Sequence, residues 1–383
     1  MTAPSAAARA LAPEAAELAP TAEAERRLPA ALSAEIAAAG LYRLCVPAAF
    51  GGGEAPPTQL LSAVEELAIG DGAAGWCVAV CATAGMLAAY LEPGAAREVY
   101  GEPTGVVGGV FAPMGRAAAD GEDLVVGGRW RFCSNVANCD WLMGGCVVTD
   151  GGEPRLLESG RPDIRLVLMP AREVEVIDTW SVSGLRATGS HDIAVDGLAV
   201  PAARSASLIT DSPRERGALY AFPPFGLLAA SIAAVALGIA RGALDDLAEL
   251  AGVKTPTLST RKLAERATTQ SQLARAEAGL RAARSLLYDS AERAWEAAVE
   301  GAEIPIELRA GLRLASTHAV EAAAAAVDAA WSLAGGGAFY ATGPLERRFR
   351  DVHAATQHML VGPATWELAG RSLLGLEFDA SQL

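Results

Sequence analysis

The chain has 383 residues, of which 51% are hydrophobic and 20% are charged, so it is neither a disordered protein nor one small module. Its 31 Lys and Arg residues are outnumbered by 45 Asp and Glu residues and form no basic block, which argues against a nucleic-acid-binding protein. The six cysteines include no CxxC pair and the four histidines no HExxH motif. We therefore expect reduced thiols in a cytoplasmic protein and no metal site.

The first 105 residues have the composition and periodicity of helices. Residues 25–39 and 58–69 have the spacing of amphipathic helices, and residues 71–90 are mostly apolar, which is typical of a buried helix. The Ala- and Glu-rich start of the chain has no apolar segment of the kind found in signal peptides. We expect residues 1–105 to form an α-helical N-terminal domain.

The pattern changes at residues 106–210 to short β-rich runs that are separated by Gly, Pro and Asp, with no long helix between them. These runs predict a middle antiparallel β-barrel or sandwich domain. Residues 211–383 return to long Ala-, Leu- and Arg-rich patterns, which predict a C-terminal four-helix bundle. The four predicted helices span residues 227–251, 259–299, 306–333 and 346–374. The predicted fold class is therefore α+β.

One uncharged stretch lies between Arg216 and Arg241 and could be taken for a membrane span. Pro223 and Pro224 interrupt its start, and the remainder is short and rich in Ala. We expect a helix that is buried inside the bundle and no membrane partner.

Local patterns alone leave the candidate site residues open to more than one interpretation. The segment from Phe132 to Trp141 places aromatic side chains and the Ser134 hydroxyl at a strand end, which suits a flat ligand but equally a half-buried strand. The glycines Gly335–Gly337 either end a helix or offer bare backbone to a cofactor. His358 either transfers protons in a pocket or is an ordinary histidine. His191 with Asp192 is interpreted first as part of a turn.

Four segments, in this order along nearly the whole chain, resemble the acyl-CoA dehydrogenase superfamily. They are residues 110–113 (VFAP), 132–141 (FCSNVANCDW), 184–201 (GLRATGSHDIAVDGLAVP) and 335–351 (GGGAFYATGPLERRFRD). The resemblance implies the order of helical domain, β-barrel domain that binds flavin and substrate, and helical bundle that forms the oligomer.

The resemblance also assigns roles in flavin binding to single residues. Phe111 and Pro113 would lie against the flavin, and Ser134 would hydrogen-bond near its N5. The residues that would flank the ring or hold its phosphate end are Phe132, Trp141, Arg186, Gly335, Gly336 and Gly337.

The sequence departs from the dehydrogenases of this superfamily at their catalytic glutamate. The two positions that would carry this base hold Met359 and Leu228, so abstraction of an α-proton has no evident base. His358 resembles instead the flavin-dependent monooxygenase branch (group D), the oxygenase components of two-component systems. The histidine that this branch often carries in the first domain is absent, because the first His of the chain is His191.

This branch implies the chemistry that we expect. A separate flavin reductase supplies reduced FMN or FAD, and the oxygenase uses it with O2 to hydroxylate an aromatic or polycyclic small molecule. His358 and Ser134 would be catalytic, and Asn135, Trp76 and Met359 would line the substrate pocket. The resemblance further implies a homotetramer.

Two alternatives are open. The first is an FAD-dependent acyl-CoA dehydrogenase that takes its base from elsewhere and desaturates an acyl-CoA. The second is a non-catalytic protein of the same fold that binds no flavin.

Overall fold

In the computed structural model, which describes residues 3–301, 303–380 and 383, two helical regions flank a central β-sheet. The N-terminal helices are α1 (Pro4–Glu25), α2 (Ala30–Ala38), α3 (Pro57–Gly70), α4 (Gly72–Ala84) and α5 (Pro93–Tyr100). The C-terminal helices are α6 (Ala218–Ala221), α7 (Pro224–Val253), α8 (Ala267–Val299), α9 (Ile306–Ala334), α10 (Pro344–Ala355) and α11 (Ala364–Leu373). The predicted α+β class with helical ends is confirmed.

The N-terminal region differs from the prediction at its start. The expected helix at 25–39 is split, because Arg26 adopts a left-handed backbone (φ 57°) that ends α1, and Pro29 precedes α2. Helix α1 lies within the predicted helical domain but was not singled out, and it contains two internal prolines, Pro13 and Pro20. A stripe of buried alanines lets it pack closely on α3; its members are Ala8, Ala12, Ala15, Ala19 and Ala22.

The β region is one sheet of eight strands in the order β6-β7-β2-β1-β3-β5-β8, with β4 paired to β3. The strands are β1 (Val107–Asp120), β2 (Asp123–Cys133), β3 (Trp141–Asp150), β4 (Glu153–Pro154), β5 (Ile164–Pro170), β6 (Glu175–Ile177), β7 (His191–Pro201) and β8 (Ser205–Ala206). Trp130 fills the core of this sheet, and its indole N–H donates to the carbonyl of Gly145 at 2.6 Å.

The expectation of a wholly antiparallel sheet was wrong in one respect, since β1 and β3 run parallel. The reason is the length of a connection. Strand β2 returns antiparallel to β1 and ends beside the start of β1. Residues 134–140 are too few to cross the length of the sheet, so β3 begins at that same end and follows the direction of β1.

The C-terminal bundle has three long helices, α7 to α9, but the predicted fourth helix at 346–374 is broken. Helix α10 ends at Ala355 and α11 begins at Ala364, because Gly362 and Pro363 between them disfavour a continuous helix. His358 therefore lies in a loop and not on a helix. The start of α8 also shifts, from the predicted residue 259 to Ala267.

Two helical segments are long and apolar enough to cross a membrane by composition alone, Gly72–Ala89 and Pro224–Val253. Each is 94% buried within the protein over its most apolar window. Packing of α7 against α3, α4, α9 and α10 covers it on several sides. Their hydrophobicity is thus accounted for by burial in the protein core.

Candidate functional site

Trp76 on α4 connects two of the predicted site residues, Ser134 after β2 and His358 between α10 and α11. Its indole N–H donates to the Ser134 hydroxyl at 3.1 Å. Its ring meets the His358 imidazole edge-to-face, with ring centroids 5.6 Å apart and planes at 71°. Residues from all three regions of the chain therefore meet around one tryptophan.

Ser134 is the start of a chain of buried hydroxyl groups. Its Oγ is 2.7 Å from the Oγ of Ser190, which is 2.7 Å from the Oγ1 of Thr188. Thr188 in turn donates to the carbonyl of Leu185 at 2.8 Å. These three hydroxyl-bearing residues are at most 7% exposed, so their hydrogen bonds are shielded from water.

The backbone around these hydroxyls is strained. Phe132, Asn135 and Leu185 all have positive φ angles (69°, 59° and 51°), a conformation that residues other than glycine rarely adopt. The amide N–H of Asn135 donates to the carbonyl of Thr188 at 2.8 Å and joins the two strained segments. Strain of this kind persists where the surrounding structure enforces it, which is common at functional sites.

His358 is held as a neutral hydrogen-bond donor. Its Nδ1 accepts from the backbone N–H of Leu360 at 3.3 Å, which leaves the ring hydrogen on Nε2. Burial, reinforced by the Arg313 guanidinium, lowers the pKa of His358 to about 4. Arg313 also donates to the Leu360 carbonyl at 3.1 Å and so holds the loop in place. At neutral pH this side chain can orient an acceptor but carries no charge.

A buried carboxylate fixes the end of the hydroxyl chain. Asp351 on α10 accepts from the N–H of Leu185 at 2.6 Å. Gly184 allows this approach, because a Cβ at that position would lie 2.1 Å from the Arg350 carbonyl oxygen. Burial, together with the nearby Asp71 carboxylate, raises the pKa of Asp351 to about 7.

His191 has a structural role, as first interpreted. Its Nδ1 accepts from the backbone N–H groups of Thr179 and Trp180 at 3.2 and 3.3 Å. The Trp180 ring then meets Phe132 edge-to-face at 6.2 Å. Phe132 is 61% exposed, so one side of this aromatic pair is open to a flat ligand or to another chain.

The predicted contact residues on β1 lie in an irregular part of that strand. The pairing of β1 with β3 shifts register on both sides of Pro113, and Phe111 lies within the first shift. Such bulges re-aim side chains. Gly145 is required there, because a Cβ would lie 2.4 Å from the Phe111 carbonyl oxygen. Trp141 is covered by the Arg204 guanidinium, 5.1 Å from the ring centroid.

Two of the predicted pocket residues, Asn135 and Met359, differ widely in exposure. Asn135 is buried, and its amide is engaged by Cys81 (3.6 Å) and Asn138 (2.9 Å) within the chain. Met359 is 69% exposed, because the helix on which it was expected ends at Ala355.

The predicted phosphate-binding residues lie in two different parts of the fold. Gly335–Gly337 form a turn at the end of α9, where Lys254 donates to the carbonyl of Ala334. Arg186 lies in the Leu185–Thr188 turn, and its buried Nε has no hydrogen-bond partner among the residues that the structure describes. An unpaired buried guanidinium nitrogen favours an anionic ligand.

Sequence reasoning gave no role to Thr188, Ser190, Asp351 or Lys254. Thr188, Ser190 and Asp351 fall inside quoted motifs, but only the folded chain shows that their polar groups meet. The one signal for Lys254 was its place in a break between two helical patterns.

Comparison with known proteins identifies the family. Residues 2–96 match the model of the acyl-CoA dehydrogenase N-terminal domain, and residues 230–363 match that of the C-terminal domain. An indole-3-acetate monooxygenase of Pseudomonas putida is 34% identical over 346 residues, which cover 88% of this chain and 84% of that protein. The chain belongs to the acyl-CoA dehydrogenase superfamily. Within it, this chain is one of the flavin-dependent monooxygenases.

Another relative and two solved structures match most or all of the chain. The oxygenase subunit HsaA of Rhodococcus jostii is 28% identical, covering 88% of this chain and 89% of that subunit. The crystal structure of the HsaA monooxygenase from M. tuberculosis has a TM-score of 0.91 at 26% identity, covering 100% of this chain and 99% of that one. A structure of XiaF from Streptomyces sp. in complex with FADH2 has a TM-score of 0.89 at 25% identity, with 98% and 95% covered.

The buried Asp351 makes the stability of this monooxygenase depend on pH. Its pKa lies above the ordinary 3.8, so the folded state holds a proton that the unfolded state releases. This contribution to stability is complete below about pH 4 and is lost as the pH rises through about 7. In Asp351→Asn, the fall in unfolding free energy between pH 4 and 7 should be smaller by on the order of 2–4 kcal/mol.

Urea unfolding at several pH values measures this difference. Asp178→Asn is the matched control, because Arg26 lowers the pKa of that exposed carboxyl and its effect lies at lower pH. An unchanged pH dependence in Asp351→Asn would contradict the assignment.

Proposed function

We propose that this chain hydroxylates an aromatic small molecule that carries a hydrogen-bond-accepting oxygen, with the flavin ring at Ser134 and the substrate at His358. The protein is the oxygenase component of a two-component system, and a flavin reductase supplies its reduced FMN or FAD. The observation that carries the proposal is the contact of Trp76 with both Ser134 and His358. Through these two contacts, Trp76 holds the Ser134 hydroxyl and the His358 imidazole close to each other.

The residues present fit a bound flavin. Ser134 has a lone pair left after its two hydrogen bonds, and Phe132 and Trp180 offer aromatic surface near it. Arg186 has a buried nitrogen without a partner in the described part of the chain. Reduced flavin, when bound, supplies the two electrons with which one oxygen atom of O2 enters the substrate and the other leaves as water.

The chain itself would orient the substrate and exclude water. His358 at neutral pH presents an N–H donor, which suits a phenol or carboxylate oxygen on the substrate. Helix α4 beside it is apolar and buried along nearly its whole length. A dry site favours transfer of oxygen over loss of the activated species to water.

The names of the relatives support an aromatic substrate. Besides the indole-3-acetate monooxygenase of Pseudomonas putida, they include the oxygenase component of an FADH2-dependent resorcinol hydroxylase of Rhizobium sp., 28% identical over 373 residues. Indole-3-acetate and resorcinol are both aromatic molecules with acceptor oxygens. Among these two classes, we favour an indole-like acid, because a second indole-3-acetate monooxygenase, from Acinetobacter baumannii, is 32% identical.

We further infer a cytoplasmic homotetramer. Phe339 and Tyr340 stack on each other at 5.4 Å and are both exposed, which is unfavourable unless another chain or a ligand covers them. They follow Gly335–Gly337 at the end of α9, and we favour a second copy of the chain as the partner that covers this exposed pair and uses these glycines to bind the flavin phosphate. All six cysteines are free thiols, as in a reducing compartment.

Light scattering of the purified protein tests the assembly. A mass of four chains supports it. A mass of one chain contradicts it.

The function is tested with reduced flavin in the absence of a reductase. Anaerobic protein is mixed with reduced FMN or FAD and indole-3-acetate or resorcinol, and oxygen is then added. We expect a hydroxylated product, with its yield per flavin reduced about tenfold or more in His358→Leu and less in His358→Gln, which keeps an N–H donor. His353→Gln is the matched control, since that histidine lies on α10 with its Nε2 3.4 Å from the Asp328 carboxylate.

Two results would contradict this function. The first is reoxidation at the rate of free flavin, with hydrogen peroxide formed and no hydroxylated product from any aromatic acid or phenol. This result would rule out the monooxygenase function. Bleaching of bound FAD by an acyl-CoA would instead establish the dehydrogenase alternative.

A further inference from the structure

The hydroxyl chain that begins at Ser134 has a fixed direction. A carbonyl oxygen has no hydrogen, so Thr188 must donate its own to Leu185. Because that hydrogen is used, Thr188 can only accept in its 2.7 Å contact with Ser190. Each hydroxyl has only one hydrogen to donate. The donation from Thr188 to the Leu185 carbonyl therefore determines which partner donates in the next hydrogen bond along the chain.

The hydrogen bonds of Ser190 determine whether the Ser134 hydroxyl donates or accepts. Ser190 has donated to Thr188, so in its 2.7 Å contact with Ser134 it must accept. Ser134 therefore donates its hydrogen to Ser190, and it accepts from the indole N–H of Trp76, which can only donate. One lone pair remains on the Ser134 oxygen. Any further group that meets this hydroxyl must be a hydrogen-bond donor.

The two redox states of a flavin differ in this property. N5 of the oxidised ring has a lone pair and no hydrogen, whereas N5 of the reduced ring carries a hydrogen. We propose that Thr188 and Ser190 are positioning residues that hold Ser134 as an acceptor, so that the site binds reduced flavin in preference to oxidised flavin. This inference rests on the proposed function, which places the flavin ring at Ser134.

The environment makes this direction hard to reverse. Thr188 is 1% exposed and Ser190 is 3% exposed, so water is not available to accept or replace their hydrogens. Reversal would either break the Thr188 hydrogen bond to Leu185 or leave the Ser190 and Thr188 oxygens in contact with no hydrogen between them. The Leu185 turn is itself held by Asp351 through the 2.6 Å hydrogen bond. The selectivity is therefore built into buried groups that need not touch the flavin.

Substitution at Thr188 tests the inference without removing Ser134. In Thr188→Val the side chain keeps its shape but loses the oxygen that accepts from Ser190. Ser190 can then donate to Ser134, and the Ser134 hydroxyl becomes able to donate to another group. Thr188→Ser keeps the hydroxyl and is the matched control. Equilibrium binding of oxidised and reduced FMN, measured anaerobically for each protein, gives the ratio of the two dissociation constants.

We expect the wild type and Thr188→Ser to prefer reduced FMN. In Thr188→Val the preference should fall by roughly three- to tenfold, chiefly because oxidised FMN binds more tightly. Ser190→Ala should behave in the same way. The analogue 5-deaza-FMN has carbon in place of N5 and therefore no N–H there when reduced. The wild type should show no preference for the reduced form of this analogue.

The outcomes separate this inference from the function on which it rests. A wild type that binds neither form of FMN or FAD overturns the proposed function itself. If the wild type prefers reduced FMN but Thr188→Val and Ser190→Ala keep the same ratio, the flavin site stands and the positioning role is wrong. Circular dichroism of each variant shows whether it is folded, and where Thr188→Val is unfolded Ser190→Ala decides the result.

Discussion

The hydrogen bond from Thr188 to the carbonyl of Leu185 is the constraint on which the rest of the site depends. It fixes the direction of every hydroxyl back to Ser134, at the end of β2. The Trp76 indole on α4 donates to the Ser134 hydroxyl, and its ring contacts His358. One line of polar contacts thus connects the helical N-terminal region, the sheet and the loop between the last two helices. We expect a change at any of these points to alter the hydrogen bonding of the Ser134 hydroxyl.

Rigidity at this site has an energetic cost that the core offsets. Three residues with positive φ and a carboxylate buried beside another carboxylate each destabilise the folded state. The buried helix α7 and the densely packed sheet supply the compensating apolar burial. The strained positions Phe132, Asn135 and Leu185 flank the hydroxyl chain, so the cost is concentrated where the side chains must be held most precisely.

Much of the architecture could be predicted because periodicity depends on local sequence. The helical ends, the β-rich middle and the buried helix at 71–90 follow from the spacing of apolar residues. The parallel pairing of β1 with β3 could not be predicted, since it depends on β3 lying beside β1 and not beside β2 in the sheet. Helix α1 was not singled out, and its two internal prolines show that tertiary packing stabilises it against a weak local preference. The break before His358 did have a local signal, in Gly362 and Pro363.

The site was predicted less completely than the fold. The resemblance singled out Ser134, Trp76 and His358, and the structure brings these three together. It places Gly335–Gly337 at the end of α9 and Met359 at the surface. The roles of Thr188, Ser190 and Asp351 could not be inferred, because hydrogen-bond direction depends on which buried groups meet in three dimensions. A sequence pattern records the residue types and not their partners.

Neutron diffraction from crystals of the deuterium-exchanged protein observes the three hydroxyl hydrogens directly. We expect deuterium on Ser134 Oγ directed at Ser190, on Ser190 Oγ directed at Thr188, and on Thr188 Oγ1 directed at the Leu185 carbonyl. Deuterium on Ser190 directed at Ser134 would contradict this expectation, because Ser134 would then be free to donate to an oxidised flavin.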